Sequence, residues 1–308
     1  MRIIDPVIHK VFAIRLVIHF ILFVLLSSTG LFSTTSLAAG VRVEAMQMPA
    51  WVIRAGVKQV LKPGMELNSS DVINTGASAR MLLRLDEGST IKMGENASLD
   101  LTNVLPPQFE QAPFEAAIHV IRGAFRFTTT LLGQNRKRNI DVRIGTVSAG
   151  IRGTDIWGSA QSDKDILCLI EGNISAQREG ERTFTMQDPL SFYIAPKNKP
   201  ALPVKPVPQK QLTQWATETE VANGKGVLRS DGAWAVNLMS LDNRAAAEPT
   251  VKLLAEAGYP AEIFSLSLQG REWFRVRVTG FALKDDALHF AAFIDGQFGI
   301  EKPWAVQF

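Results

Sequence analysis

The chain has 308 residues, of which 46% are hydrophobic and 20% charged, with a formal net charge of +3 and one cysteine. That length allows two ordinary domains with separate cores, and the composition excludes a disordered or membrane-filled chain. Residues 1–38 hold Arg2, Lys10 and Arg15 against Asp5, so the remainder is close to neutral. A nucleic-acid binder needs a concentrated basic footprint, and none is expected here.

The N-terminus has a positively charged lead, then the apolar run "LVIHFILFVLL" (Leu16–Leu26), then a small, polar stretch. The run is too short for a bilayer, which needs about 20 apolar residues, and suits the core of a secretory signal. Ser36 and Ala38 form a small-x-small site, so residues 1–38 are expected to be a signal peptide cleaved before Ala39. The rival is a retained anchor beginning near Val11. Cys168, in "DILCLIEG", has no partner for an internal disulfide and reads as a small buried hydrophobe. His119 and His289 form no ligand-spaced cluster, and neither metal nor cofactor is expected.

From Val41 to Ala195 the sequence runs in short apolar stretches punctuated by glycine. Alternation is clear in "ARMLLRL" and "STIKMG", and "DEGS" (Asp86–Ser89) between them signals a hairpin. Residues 39–195 are therefore expected to form an all-β domain. The basic cluster "NRKRN" (Asn135–Asn139) reads as a solvated loop. In "AGIRGTDIW", Arg152 and Asp155 are expected at a turn between strands, paired with each other; with no nucleophile, base or metal nearby, they name no reaction.

Five prolines fall within "APKNKPALPVKPVPQKQ" (Ala195–Gln211), a density that favours an extended spacer. Residues 196–230 are thus expected to be a linker, with a short helix in "QLTQWATETEVANGKG". From 231 to 308 the pattern changes. "AWAVNLMS" is a strand, and "NRAAAEPTVKLLAEAGYP" is a helix with Ala247, Val251 and Leu254 inward and Pro249 inside it. "AEIFSLSL" and "EWFRVRVTGF" are strands. "LKDDALHFAAFI" is a helix burying Ala287, Phe290, Ala291 and Ile294, with Asp285 and Asp286 on its solvated first turn. "PWAVQF" supplies a last strand. This βαββαβ order predicts an α+β, ferredoxin-like unit, a four-stranded sheet with both helices on one face.

On the other face, period-two alternation places Trp273, Arg275 and Arg277 outward and Phe274, Val276 and Val278 inward. The same parity sets Ala235, Asn237 and Met239 outward, opposite Trp234, Val236 and Leu238. Exposed arginines on a sheet are commonly solvated cover, but an exposed tryptophan is less usual.

Residues Trp234–Ile294, with "WAVNLMS", "LLAEAGYPAEI" and "WFRVRVTGF" followed by "KDDA", resemble the SPOR domain, a peptidoglycan-binding module of bacterial envelope proteins. The resemblance implies binding of glycan strands stripped of stem peptides, such as accumulate at the division septum. It implies polar contacts at Asn237 and Ser240 and an aromatic contact at Trp273; Arg275 and Arg277 join them by parity alone. Residues 41–195, with "PGMELNSSDVINTGASARMLLRLDEGSTIKMG" and "VSAGIRGTDIWG" followed by "LIEGNISA", resemble the FecR-type periplasmic domain. That likeness implies a solenoid-like or sandwich-like fold.

Together these readings imply a non-enzymatic protein of the Gram-negative periplasm, enriched at the septum. Its partners would be peptidoglycan glycan strands and an envelope protein contacting the FecR-like part. The alternatives are a sensory or regulatory protein whose FecR-like part binds a protein, and a cell-wall hydrolase. A hydrolase would need two positioned carboxylates, which the sequence does not display.

Overall fold

A computed structural model describes residues 40–105, 113–129, 137–151 and 153–308. The expected signal peptide and Arg152 lie outside the described residues. Strand accounts for 51% of the structure, with three short helices among the described residues.

The β-rich part opens with β1 (Val41–Gln47), β2 (Ala50–Arg54), β3 (Val57–Val60), β4 (Glu66–Leu67), β5 (Val72–Thr75), β6 (Arg80–Leu85) and β7 (Thr90–Met93). It continues with β8 (Ser98–Leu105), β9 (Phe114–Thr128), β10 (Arg138–Ile144), β11 (Val147–Ile151) and β12 (Asp155–Ala160). Next come β13 (Lys164–Glu171), β14 (Ile174–Arg178), β15 (Phe184–Met186), β16 (Ser191–Pro196) and β17 (Lys205–Pro206).

One sheet runs β17-β16-β13-β12-β9-β7-β6-β1. The other runs β3-β2-β5-β8-β9-β10-β11-β14-β15. Strand β9 belongs to both, pairing with β8 and β10 through its first half and with β7 and β12 through its second. The crossing is at Gly123, whose φ is +85° and whose added Cβ would lie 2.6 Å from Ala97 Cα, a place only glycine fits. Inward side chains of both sheets, among them Val43, Val52, Ile73, Leu83, Phe127 and Val142, share one core, a sandwich-like arrangement. The turn at 86–89 joins β6 to β7, with Met81, Leu83 and Leu85 buried in alternation.

The second part contains α1 (Gln209–Thr219), β18 (Val227–Arg229), β19 (Trp234–Leu241), α2 (Arg244–Glu256), β20 (Glu262–Leu268), β21 (Arg271–Phe281), α3 (Lys284–Ile294) and β22 (Trp304–Gln307). Its four long strands pair antiparallel in the order β20-β21-β19-β22. Val236, Leu238, Val276 and Val278 point to the helices and share a core with Ala247, Leu254, Ala287, Phe290 and Ile294. Helix α2 begins at the Asn243 cap, whose side chain accepts from Ala245 N at 2.8 Å, and runs through Pro249.

The proline-rich segment does not act as a spacer. The described residues from Gly40 to Phe308 belong to one compact unit. Strand β17 lies along β16, and α1 packs back on the β-rich part, with Trp215 stacked on Trp157 at 4.4 Å and 11°. Strand β18 pairs with β1 through Val227–Arg229 and touches β21 at Leu228–Phe281, so backbone pairing bridges the two parts. Lys58 Nζ donates to Glu256 O (2.7 Å) and Ala50 N to Gly258 O (3.0 Å). Proline stiffness is compatible with this docking because the prolines lie in extended edge segments that need few N–H donors.

Two further expectations change. Asp286 is not a solvated helix-start residue: it is fully buried, and its Oδ1 accepts from Gly226 N (3.1 Å) and Val227 N (3.0 Å). Its Oδ2 accepts from Leu283 N (3.2 Å). The described part of the basic cluster is not a free loop either. Arg138 and Asn139 open β10, and Arg138 Nε lies 3.1 Å from Glu87 Oε2.

Candidate functional site

The face of the four-stranded sheet away from the helices is built from cross-strand rows. In one, Trp304, Asn237, Arg277 and Glu262 lie side by side on β22, β19, β21 and β20. In the next, Ser240, Arg275 and Phe264 do so. Beyond them Trp273 stands opposite Leu266. Directly opposed residues of antiparallel strands share a face, so all five residues singled out from the sequence are gathered here.

A strictly alternating β19 would send Asn237 and Ser240 to opposite faces. A bulge between Asn237 and Met239 shifts the register, setting Met239 against Val276 and Ser240 against Arg275. An extra residue in one strand re-aims the side chains after it. Met239, read as outward from parity, is therefore turned to the helix side, where it packs against the core.

Asn237 also departs from expectation. It is on the open face but only 3% exposed. Its neighbours in the row, Trp304 and Arg277, carry longer side chains. Asn237 is thus a floor residue rather than an outward hydrogen-bonding arm.

The two arginines differ. Arg277 Nε donates to Glu262 Oε1 at 3.1 Å, and its guanidinium lies 3.9 Å above the Phe264 ring and 5.8 Å from that of Phe308. Arg275 lies 5.6 Å from the Trp304 ring centroid and has no ion pair among the described residues. Its Nε is buried without a hydrogen-bond acceptor. Phe264, Leu268, Trp304 and Phe308 are 39%, 47%, 40% and 64% exposed, and Trp273 is half-buried. The result is a shallow aromatic platform interleaved with guanidinium groups. Trp304, Phe264 and Phe308 were missed by the sequence reading; the alternation of "AEIFSLSL" held the signal for Phe264.

Elsewhere, the motif "AGIRGTDIW" has its Asp155 among the described residues. Asp155 is held by Arg126, through Nε–Oδ1 at 2.9 Å and Nη2–Oδ2 at 2.6 Å. Arg126 reaches Asp155 because β9 runs beside β12 and sets Thr128 opposite Asp155; the expected pairing with Arg152 falls on a residue outside the described ones. The hydrogen bond to Asp155 raises the Arg126 pKa above its ordinary value. Cys168 is buried, and desolvation, with a smaller push from Asp155, raises its thiol pKa to about 12. It is no nucleophile at neutral pH.

The outer face of the second sheet carries a polar cross-strand row of Asp100, His119, Arg143, Ser148 and Gln177. A cavity of about 410 Å³ lies along it, lined by Asp100, His119, Asp141, Arg143 and Ser148 among others. Burial lowers the His119 pKa, with Arg143 adding to this and Asp100 and Asp165 opposing it.

Comparison with known families accords with this division. The SPOR domain model matches residues 230–307, and the model described as FecR protein matches residues 71–175. The chain is thus a modular protein with a FecR domain followed by a C-terminal SPOR domain. Two crystal structures of a protein described as an anti-sigma factor from Parabacteroides distasonis, at 1.65 and 2.50 Å resolution, are similar in part. Each is 10% identical and covers 65% of this chain and 96% of its own, with TM-scores of 0.38 and 0.39. No curated protein matches the chain. Among the described residues no helix is long and apolar enough to cross a membrane.

Proposed function

We propose that the protein is an exported, non-enzymatic envelope protein of a Gram-negative periplasm. Its SPOR domain, a ferredoxin-like βαββαβ unit over about 231–308, binds denuded peptidoglycan glycan strands and enriches the protein at the division septum. The observation that carries this reading is the open sheet face, where Trp273, Trp304, Phe264 and Phe308 surround Arg275 and Arg277. An extended glycan needs a shallow platform rather than an enclosed cleft, with aromatic faces for its rings and fixed donors for its oxygens. Ser240 supplies a hydroxyl at the rim, and Asn237 supports the floor.

Binding per site is weak because the face is open to water, and repeated sites along the wall supply avidity. The test is co-sedimentation of the purified protein with sacculi, with and without stem peptides. Wild type should sediment with denuded sacculi, and Trp273→Ala and Trp304→Ala should each weaken this about tenfold. Failure to sediment with denuded sacculi would overturn the reading.

A second reading, sensory or regulatory, draws on the FecR domain and the polar row from Asp100 to Gln177. It assigns that outer face to an envelope protein partner. Loss of envelope retention on Arg143→Glu, with Trp273→Ala silent, would favour it.

A further inference from the structure

The two inner arginines of the platform occupy neighbouring rows of one strand but are in different electrostatic states. Arg277 is neutralised by Glu262 and held between Phe264 and Phe308. Its role is to fix the aromatic rings. Arg275 has Ser240 on one side and Phe264 on the other, neither of them charged. Among the described residues no carboxylate lies within ion-pair distance of it, and its buried Nε has no acceptor.

A partly covered guanidinium with an unbonded donor is costly unless a ligand completes it. The guanidinium carbon lies 5.6 Å from the Trp304 ring centroid, at the outer limit of a cation–π contact. The terminal Nη groups of Arg275, unlike the buried Nε, can form a fork to a planar anion. Such a fork suits a carboxylate.

We propose that Arg275 receives a carboxylate carried by the glycan: the lactyl carboxylate that a muramic acid residue bears once its stem peptide has been removed. The inference rests on the glycan reading above and supplies its selectivity. In a peptide-bearing strand the same carbonyl is part of a neutral amide, which cannot pair with Arg275 and which carries a peptide across the platform. Cleavage of that amide creates the anion, so the face reads the chemical mark left by peptide removal. Arg277, already paired with Glu262, does not.

The test uses the whole protein and glycan oligomers released from denuded sacculi, either untreated or with their carboxylates converted to methylamides. Binding is measured by calorimetry at low and high salt. Wild type should prefer the free carboxylate by about tenfold at low salt, and the preference should shrink at high salt. Arg275→Gln should bind both oligomers equally, Arg275→Lys should keep part of the preference, and Arg277→Gln should keep the ratio. Thermal melts establish that each variant is folded. Equal binding of both oligomers by wild type would overturn the role of Arg275 and leave the glycan reading standing. A preference that survives Arg275→Gln would overturn it in the same way. Binding of neither oligomer would overturn the glycan reading and this inference with it.

Discussion

The buried carboxylate of Asp286 shows how much one residue organises here. It gathers three backbone N–H groups, two from the segment entering β18 and one from the start of α3. Without it, those donors stay buried without an acceptor. Asp286→Ala should cost about 3–4 kcal/mol, and Asp286→Asn about half of that. Asparagine keeps an oxygen for Gly226 and Val227 but turns an NH₂ toward Leu283 N. Urea denaturation of the two variants checks both the size and the order. In sequence, "KDDA" signals a helix start, and nothing distinguishes which aspartate is solvated. The distinction comes from residues some 60 positions away in the chain, beyond the reach of local pattern.

At the scale of elements, alternation located strands and helices well but failed where a strand departs from strict period two. The inward positions of β21, α2 and α3 were legible because Val276, Val278, Ala247, Leu254, Ala287 and Phe290 all face a single core. The bulge in β19 was not legible, because an extra residue leaves no compositional trace in "WAVNLMS". It brings Ser240 onto the same face as Asn237, where parity alone had separated them.

Helix α1 was anticipated, but its docking was not. The Trp157–Trp215 stack, with Phe192 edge-on to Trp215 at 5.7 Å, anchors it in a small core beside Cys168. Trp215→Ala should destabilise the protein by about 3–4 kcal/mol. Hydrogen exchange should speed up first in residues 209–219; unchanged exchange there would contradict the anchoring role.

At the scale of the molecule, the two parts are joined by strand pairing rather than by a tether. Strand β18 takes the edge of β1 that β4 leaves free, covering Ala45–Gln47, and passes the connection to β21. Gly258, at φ +92°, brings the end of α2 against Pro49 and Ala50, where an added Cβ would be 3.0 Å from Pro49 Cβ. The proline count suggested separation because composition reports local stiffness and not which surfaces a stiff segment will meet. The platform is thus presented from a fixed base, its open face away from both helices.

Amide and indole NMR shifts on titration with denuded glycan oligomers test that placement most directly. Shifts should concentrate on β19, β20, β21 and β22, including the indoles of Trp273 and Trp304, while α2 and α3 stay silent. Shifts confined to the helices, or to the Asp100–Gln177 row of the second sheet, would contradict it.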